Sequence, residues 1–270
     1  MTDTDTYIRQ LTETNPLREP VLHEIICSLS LPEGSRGLDA GCGIGLQALL
    51  LAEAVGLAGH ITGLDISPEF LHVGRETAAR ARLSEQISFQ EGTIHQLPFQ
   101  DNTFDWVWSA DCAGYPAEDN PMTLVQELAR VVKPGGTVAI LAYSSQQFLP
   151  GYPLLEARLN DTCSALIPYV RGKSPDSIFT RAMGWFRQAG LEKISAQTFV
   201  HTVHAPLDDD IRRALVVFFD MLWGERQPET SQQDWDEYRR LCLPESPDFI
   251  LHCADYYGFF TYTLFHGRVT

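Results

Sequence analysis

Short apolar stretches alternate with helix-forming stretches from residue 37 to residue 143, and this alternation limits the fold more than any other feature of the chain. Residues 37–45 run from a short strand into a glycine turn, and 61–65, 87–91, 104–109 and 137–143 read as further strands, the last rich in β-branched residues. Residues 46–55, 68–83 and 121–132 read as helices, with Ser67 and Pro68 supplying an N-cap and a first helical residue. The last of these helices is broken by Lys133-Pro134-Gly135-Gly136, a turn with built-in stop signals. Strands joined through helices pair in parallel, so βαβ units and a parallel sheet are expected. The ligand crevice of such a sheet opens at the carboxyl ends of its strands.

The flanks are less regular. The first 36 residues look helical and amphipathic, with Pro20 near the start of a helix over 21–29. Residues 144–175 mix helix-like segments with Pro150, Pro153, Pro168 and Pro175. A helix is expected over 177–189, ended by Gly190, and a strand over 192–204. Asp208-Asp209-Asp210 caps an apolar run to Trp223, residues 232–242 form another helix, and 256–269 reads as a strand that pairs with 192–204. Phe218, Phe219, Trp223, Tyr256, Tyr257, Phe259 and Phe260 read as core rather than as a substrate cage. There is no internal repeat or flexible linker, so one domain over 1–270 is expected. Its parts are a helical cap (1–36), a cofactor-binding core (37–143), substrate-lid insertions (144–175 and 206–256) and a final strand (257–269).

Charge and composition exclude several classes of partner. Twenty basic residues against 35 acidic ones give a formal charge of −15. Such a surface repels phosphate backbones and anionic lipid, and no Lys/Arg cluster offsets it, so neither nucleic acid nor a membrane is an expected partner. No segment approaches the roughly 20 apolar residues of a membrane helix. The N-terminus carries acids and threonines where a signal peptide has a basic run and an apolar block. The six cysteines are irregularly spaced with no CxxC pair, which points to reduced thiols and a cytoplasmic protein. His95, His201 and His204 do not form a spaced ligand set, so no metal is expected.

The most informative stretch is Asp39-x-Gly41-x-Gly43-x-Gly45. Glycines between a strand and a helix allow a sharp turn and the close approach of a ligand to backbone. Two ligand classes use such loops. A dinucleotide site needs G-x-G-x-x-G, which would put a glycine where Leu46 stands, whereas Gly45 fits a tighter G-x-G-x-G spacing. Asp39 would repel a pyrophosphate and favour a cationic ligand. Asp65, at the end of the second strand, stands where a ribose diol needs a carboxylate acceptor.

These blocks, with Glu91-Gly92-Thr93-Ile94-His95-Gln96-Leu97-Pro98-Phe99, Phe104-Asp105-Trp106-Val107-Trp108 and Glu127 to Gly136 following in order, resemble the class I, Rossmann-like S-adenosylmethionine-dependent methyltransferases. The resemblance runs over about residues 34–145 and is strongest to the small-molecule branch, relatives of the ubiquinone and menaquinone biosynthesis enzymes. The fold expected is α/β: doubly wound, a mostly parallel seven-stranded sheet with an antiparallel last strand and helical lid insertions. The resemblance implies S-adenosylmethionine as cofactor and a small-molecule methyl acceptor. It implies that Gly41, Cys42 and Gly43 present backbone to the methionine end, with Asp39 near its ammonium. Asp65 would hold the ribose hydroxyls, Ile66 would cover one face of adenine, and Thr93 and Ile94 would sit at the adenine edge. Ser109 would place its carbonyl near the ammonium, and Arg18 would reach the methionine carboxylate. Relatives commonly carry an acid where Thr93 stands, so the contact to the adenine amino group is expected to be weaker here.

No catalytic residue is legible with similar force. Asp111 and Tyr115, after the fourth strand, are the best-placed candidates, against their reading as loop and packing residues. Two other functions remain open: another adenosyl-cofactor transferase such as an aminopropyl transferase, and a non-catalytic cofactor-binding module. Neither the acceptor nor the oligomeric state is legible.

Overall fold

The computed structural model describes residues 3–112, 121–163 and 170–270. The chain divides into two compact units. A core unit comprises Val21–Tyr143, Lys173–Phe199 and Tyr262–Thr270, and a second unit comprises Met1–Pro20, Ser144–Gly172 and Val200–Thr261.

The sheet has seven strands: β1 (Arg36–Ala40), β2 (His60–Asp65), β3 (Ile87–Glu91), β4 (Phe104–Ala110), β5 (Val132–Gln147), β6 (Glu192–His204) and β7 (Tyr257–Arg268). Their order is β3-β2-β1-β4-β5-β7-β6, with β7 antiparallel, as the fold class anticipated. β1 lies parallel between β2 and β4, with Asp39 level with Gly63 on one side and Trp108 on the other. The central strands are buried on both faces, which is why Leu38, Ala40, Leu64, Val107, Trp108 and Ile140 are all sealed from solvent.

Two helices beside this sheet follow from local signals. α2 (Leu46–Val55) begins directly after Gly45, and α3 (Pro68–Arg80) is capped by Ser67, whose Oγ accepts the Phe70 N–H at 3.2 Å. α3 ends at Arg80 rather than at residue 83. Arg82 turns left-handed (φ 61°) and the Leu83 N–H donates back to the Ala78 carbonyl at 2.9 Å, closing the helix end. α4 (Pro121–Arg130) leads into β5.

Two further expectations are corrected. α1 is one helix, Asp3–Ser28, that runs through Pro16 and Pro20 instead of restarting at Pro20. Each proline removes one helical N–H, but Leu17, Val21, Leu22, Ile25 and Ile26 stay buried at helical spacing along the continuous helix. Lys133–Gly136 is not a turn outside the sheet; it is absorbed into β5 as a bulge. Phe104 faces Val132 while Trp106 faces Thr137, so five steps along β5 match two along β4.

In the second unit, Phe148 packs edge-on against Phe218 at a centroid distance of 5.7 Å, and Phe219 stacks on Trp223 at 5.9 Å. Phe218, Phe219, Trp223, Tyr256 and Phe260 are buried there, whereas Tyr257 is half exposed. Glu156 is also buried, and its carboxylate accepts the N–H groups of Phe148 (2.7 Å) and Leu149 (2.9 Å). Among the described residues no helix is long and apolar enough to cross a membrane, and no cluster of His, Cys, Asp and Glu could hold a metal ion.

Gly37 illustrates how tightly the sheet is packed, since a Cβ there would run into the indole of Trp106. That ring is buried and its Nε1–H is fixed on Ser35 Oγ at 2.9 Å, so it has nowhere to swing. Gly37→Ala is expected to destabilise the protein by about 1–3 kcal/mol in urea denaturation. Gly184→Ala, in the helix Ala182–Gln188 with nothing within 4 Å of the added carbon, should show no loss.

Candidate cofactor-binding site

The site is built where β1, β2 and β4 end. Gly41, Gly43 and Gly45 have φ of 83°, 53° and 77°, a region in which side chains other than glycine are strained. Every second position of the loop is left-handed, and the sequence meets that demand with every second residue a glycine. The N–H groups of Gly41 and Cys42 donate to the Leu64 carbonyl at 2.8 and 2.9 Å, and the Gly43 N–H donates to Asp65 Oδ2 at 2.8 Å. These amides serve the protein's own acceptors. At those three residues the loop gives a ligand close approach to backbone rather than an anion cradle.

Asp65 therefore does more than the sequence suggested. One oxygen holds Gly43 and the other accepts the Ser67 N–H at 3.0 Å, so a single carboxylate joins the glycine loop to the start of α3. Carboxylate oxygens with one donor each retain acceptor capacity for a diol. Ile66, the next residue, is 72% exposed beside the loop.

Asp39 lies at the foot of the loop. It is 2% exposed, and its Oδ2 has no hydrogen-bond partner among the described residues. Burial, and secondarily the negative charge of Asp65, pushes its carboxyl up to about 8. An unsatisfied buried acceptor costs about 1–3 kcal/mol, and a cationic donor entering the loop would relieve it. The residues present thus fit the methionine end of S-adenosylmethionine.

Two thiols complete the lining. Burial, then Asp39 and Asp65, pushes the Cys42 thiol far above its ordinary range. Cys112 is pushed up to about 12, by burial first and then by Asp65, Asp39 and Asp111. Both stay protonated near neutral pH and act as packing groups. A Cβ at Gly41 would lie 2.6 Å from Cys112 Sγ, so Cys112 sits against the bare Cα of the first loop glycine. Nothing in the sequence marks that contact.

Ser109 is fully buried, and its hydroxyl donates to the Ala40 carbonyl at 2.7 Å, tying β4 to the end of β1. Asp111 is left-handed (φ 49°), with Oδ1 accepting the Tyr143 N–H at 2.9 Å and Oδ2 the Tyr262 hydroxyl at 3.1 Å. Its carboxylate ties the end of β4 to the middle of β7 and to the second half of β5. Tyr115 lies outside the described residues, and Arg18 lies on α1 in the second unit.

Thr93 and Ile94 belong to the loop after β3, which is fastened to β2 by the Gly92 N–H on the Asp65 carbonyl at 3.0 Å. The Thr93 hydroxyl accepts the His95 N–H at 3.3 Å, and Ile94 packs against the core. The far side of this loop is held by one guanidinium. Arg130 donates from Nε and Nη2 to the two oxygens of Glu127 (2.8 and 2.7 Å), and from Nη1 to Asp101 (2.7 Å) and the Phe99 carbonyl (2.9 Å). Its last donor reaches the Leu97 carbonyl at 3.1 Å, while Glu127 also accepts the Leu97 N–H at 2.6 Å. The bond from Arg130 holds the Glu127 carboxyl below the usual carboxylate range. The sequence signal for this clamp is a Glu and an Arg three apart in the last turn of α4.

A family model described as a methyltransferase domain matches residues 38–136, a span that holds the glycine loop, Asp65 and the Arg130 clamp. The demethylmenaquinone methyltransferase of Bacillus cereus is 33% identical over 190 residues, covering 66% of this chain and 78% of that protein. The chain belongs to the class I S-adenosylmethionine-dependent methyltransferases. The protein of the same name from Shouchella clausii is 40% identical over 129 residues, which cover 47% of this chain and 52% of the relative. The chain thus spans about half the length of several of the curated relatives it matches. Among solved structures, a SAM-dependent methyltransferase from Aquifex aeolicus superposes with a TM-score of 0.55 at 14% identity, covering 100% of both chains. The [4+2]-cyclase SpnF does so with a TM-score of 0.52 at 20% identity, covering 92% of this chain and 80% of that one. At such identities the likeness is one of fold.

Asp39 makes stability depend on pH in a definite direction. Its folded value is raised from 3.8 to about 8, so its carboxyl is tolerated while protonated and opposes folding once ionised. The ligand-free protein should lose on the order of a few kcal/mol as pH rises from about 4 to about 8. Asp39→Asn should flatten that slope in urea denaturation across this range, and an equal slope in both proteins would refute the assignment.

Proposed function

We propose that this chain transfers the methyl group of S-adenosylmethionine to a small organic acceptor. The observation that carries the reading is Asp39, a buried carboxyl with an unpartnered oxygen under a loop that glycine alone forms without strain. An ammonium group is its natural complement. Asp39 and the backbone of Gly41, Cys42 and Gly43 would hold the methionine end, with the Ser109 carbonyl beside it. Asp65 would accept from the ribose hydroxyls, Ile66 would cover adenine, and Thr93 and Ile94 would border its edge. When bound, the cofactor supplies a methyl group already activated on a sulfonium. What remains for the protein is to orient the acceptor and exclude water, and a base is needed only for a protonated acceptor.

A dinucleotide is disfavoured by Leu46 at the third glycine position and by the engagement of the Gly41, Cys42 and Gly43 amides within the protein. The charge of −15 favours a neutral or cationic acceptor over nucleic acid, and the six scattered cysteines agree with a cytoplasmic setting. The second unit gathers most of the segments that a minimal sheet lacks, and we assign acceptor binding to it. The compound in the names of the curated relatives is the first to include in an acceptor panel.

Calorimetry with S-adenosylmethionine and S-adenosylhomocysteine in a chelator should show binding of both, and binding of neither would end the reading. Asp65→Ala should weaken that binding by about 1.5–3 kcal/mol, and an unchanged affinity in a folded variant would put the ribose elsewhere. Turnover of a panel compound, followed as S-adenosylhomocysteine release, separates an enzyme from a binding module. In hydrogen exchange, cofactor should protect 39–45, 65–67 and 92–96, and an accepted substrate should then protect 144–163 or 206–256. Protection by a turned-over substrate in neither segment would refute the assignment of the second unit.

A further inference from the structure

Phe89, in the middle of β3, has no part in the roles assigned above. Its ring lies against three bare Cα atoms from three different elements. A Cβ built at Gly45 would stand 2.8 Å from Phe89 Cζ, one at Gly63 2.8 Å from Cδ1, and one at Gly74 2.8 Å from Cε1. Gly45 is the last glycine of the loop, Gly63 lies in β2 level with Phe89, and Gly74 lies in the middle of α3. Neither Gly63 nor Gly74 has the positive φ that requires glycine, so close approach of the ring accounts for these two.

The same packing bears on the loop's freedom. A loop with glycine at every second position has more backbone conformations to lose than one with side chains at those positions. Gly45 is the N-cap of α2; it has no side chain to cap the helix, and its own amide donates to the Cys42 carbonyl at 3.0 Å. Asp65 fixes the middle of the loop through the Gly43 amide, and the ring of Phe89 closes off the space beside Gly45. We propose that Phe89 is a positioning residue for cofactor binding: its ring, seated on Gly45, Gly63 and Gly74, holds the glycine loop in the conformation that receives the methionine end. This rests on the reading of that loop as the cofactor cradle.

The test separates affinity from stability, because a residue that merely fills the core lowers the melting temperature without changing the affinity of the molecules that remain folded. S-adenosylhomocysteine affinity is measured by calorimetry, well below the melting temperature, for wild type, Phe89→Leu, Gly74→Ala and the double variant. Phe89→Leu should raise Kd roughly tenfold, as a loop that must be ordered on binding would. Gly74→Ala should also raise Kd, although alanine is the better helix residue, because the new methyl displaces the same Cε1–Cζ edge of the ring that lies against Gly45. In the double variant the smaller side chain makes room for that methyl, so the two losses should be less than additive. Wild-type affinity in folded Phe89→Leu, or fully additive losses, would overturn the proposal. Should Phe89→Leu fail to fold, Gly74→Ala decides alone, and an unchanged Kd in it overturns the proposal. Failure of wild type itself to bind would instead remove the cofactor reading on which this inference stands.

Discussion

The bond from the Gly43 amide to the Asp65 carboxylate is the constraint on which the site depends. Three left-handed glycines in five residues would wander if only their own dihedral preferences held them. A carboxylate at the end of the next strand takes the central amide, and its other oxygen takes the first amide before α3. The relative placement of β1, β2, α2 and α3 thus converges on one side chain. The parallel register makes this available, because it brings the ends of adjacent strands level, Ala40 against Leu64.

Electrostatics in the site runs against the stability of the empty protein. Asp65 is close enough to raise the cost of ionising Asp39, which has been removed from water without a partner. A core chosen for stability alone would hold an asparagine or an apolar residue there. The arrangement makes sense when the missing positive charge belongs to something the protein takes up, and it is this mismatch, more than the glycine pattern, that separates the site from other loops of similar shape.

Most of the elements were legible because each carries a local signal. Leu46–Val55, Ile87–Glu91, Glu192–His204 and Gln232–Cys242 fall where composition and periodicity put them, and Ser67 caps α3 as its position before Pro68 implies. The errors have tertiary causes. Pro20 signals a helix start that the continuous buried stripe of α1 overrides, and Lys133–Gly136 signals a turn that β4 captures as a bulge. At the candidate site, Asp39 and Asp65 stood out in the sequence only together, as two carboxylates at the ends of neighbouring strands beside one glycine loop. The contact of Cys112 with Gly41, and that of Phe89 with Gly45, Gly63 and Gly74, did not stand out. A glycine records that room is needed, never which side chain from elsewhere in the chain fills it.

The clamp at Arg130 carries a consequence for how this region can vary in length. All five donors of one guanidinium are committed, two of them to the glutamate one helical turn earlier and three to carbonyl and carboxylate oxygens between Leu97 and Asp101. An inserted or deleted residue within α4 would leave the helix intact but rotate one partner about 100° from the other. A change in the length of the 92–101 segment would slide its carbonyls out of the fork. The two stretches are some thirty residues apart in sequence, yet insertions and deletions in either should be tolerated only with a matching change in the other. Length, rather than residue identity, is what this side chain holds fixed.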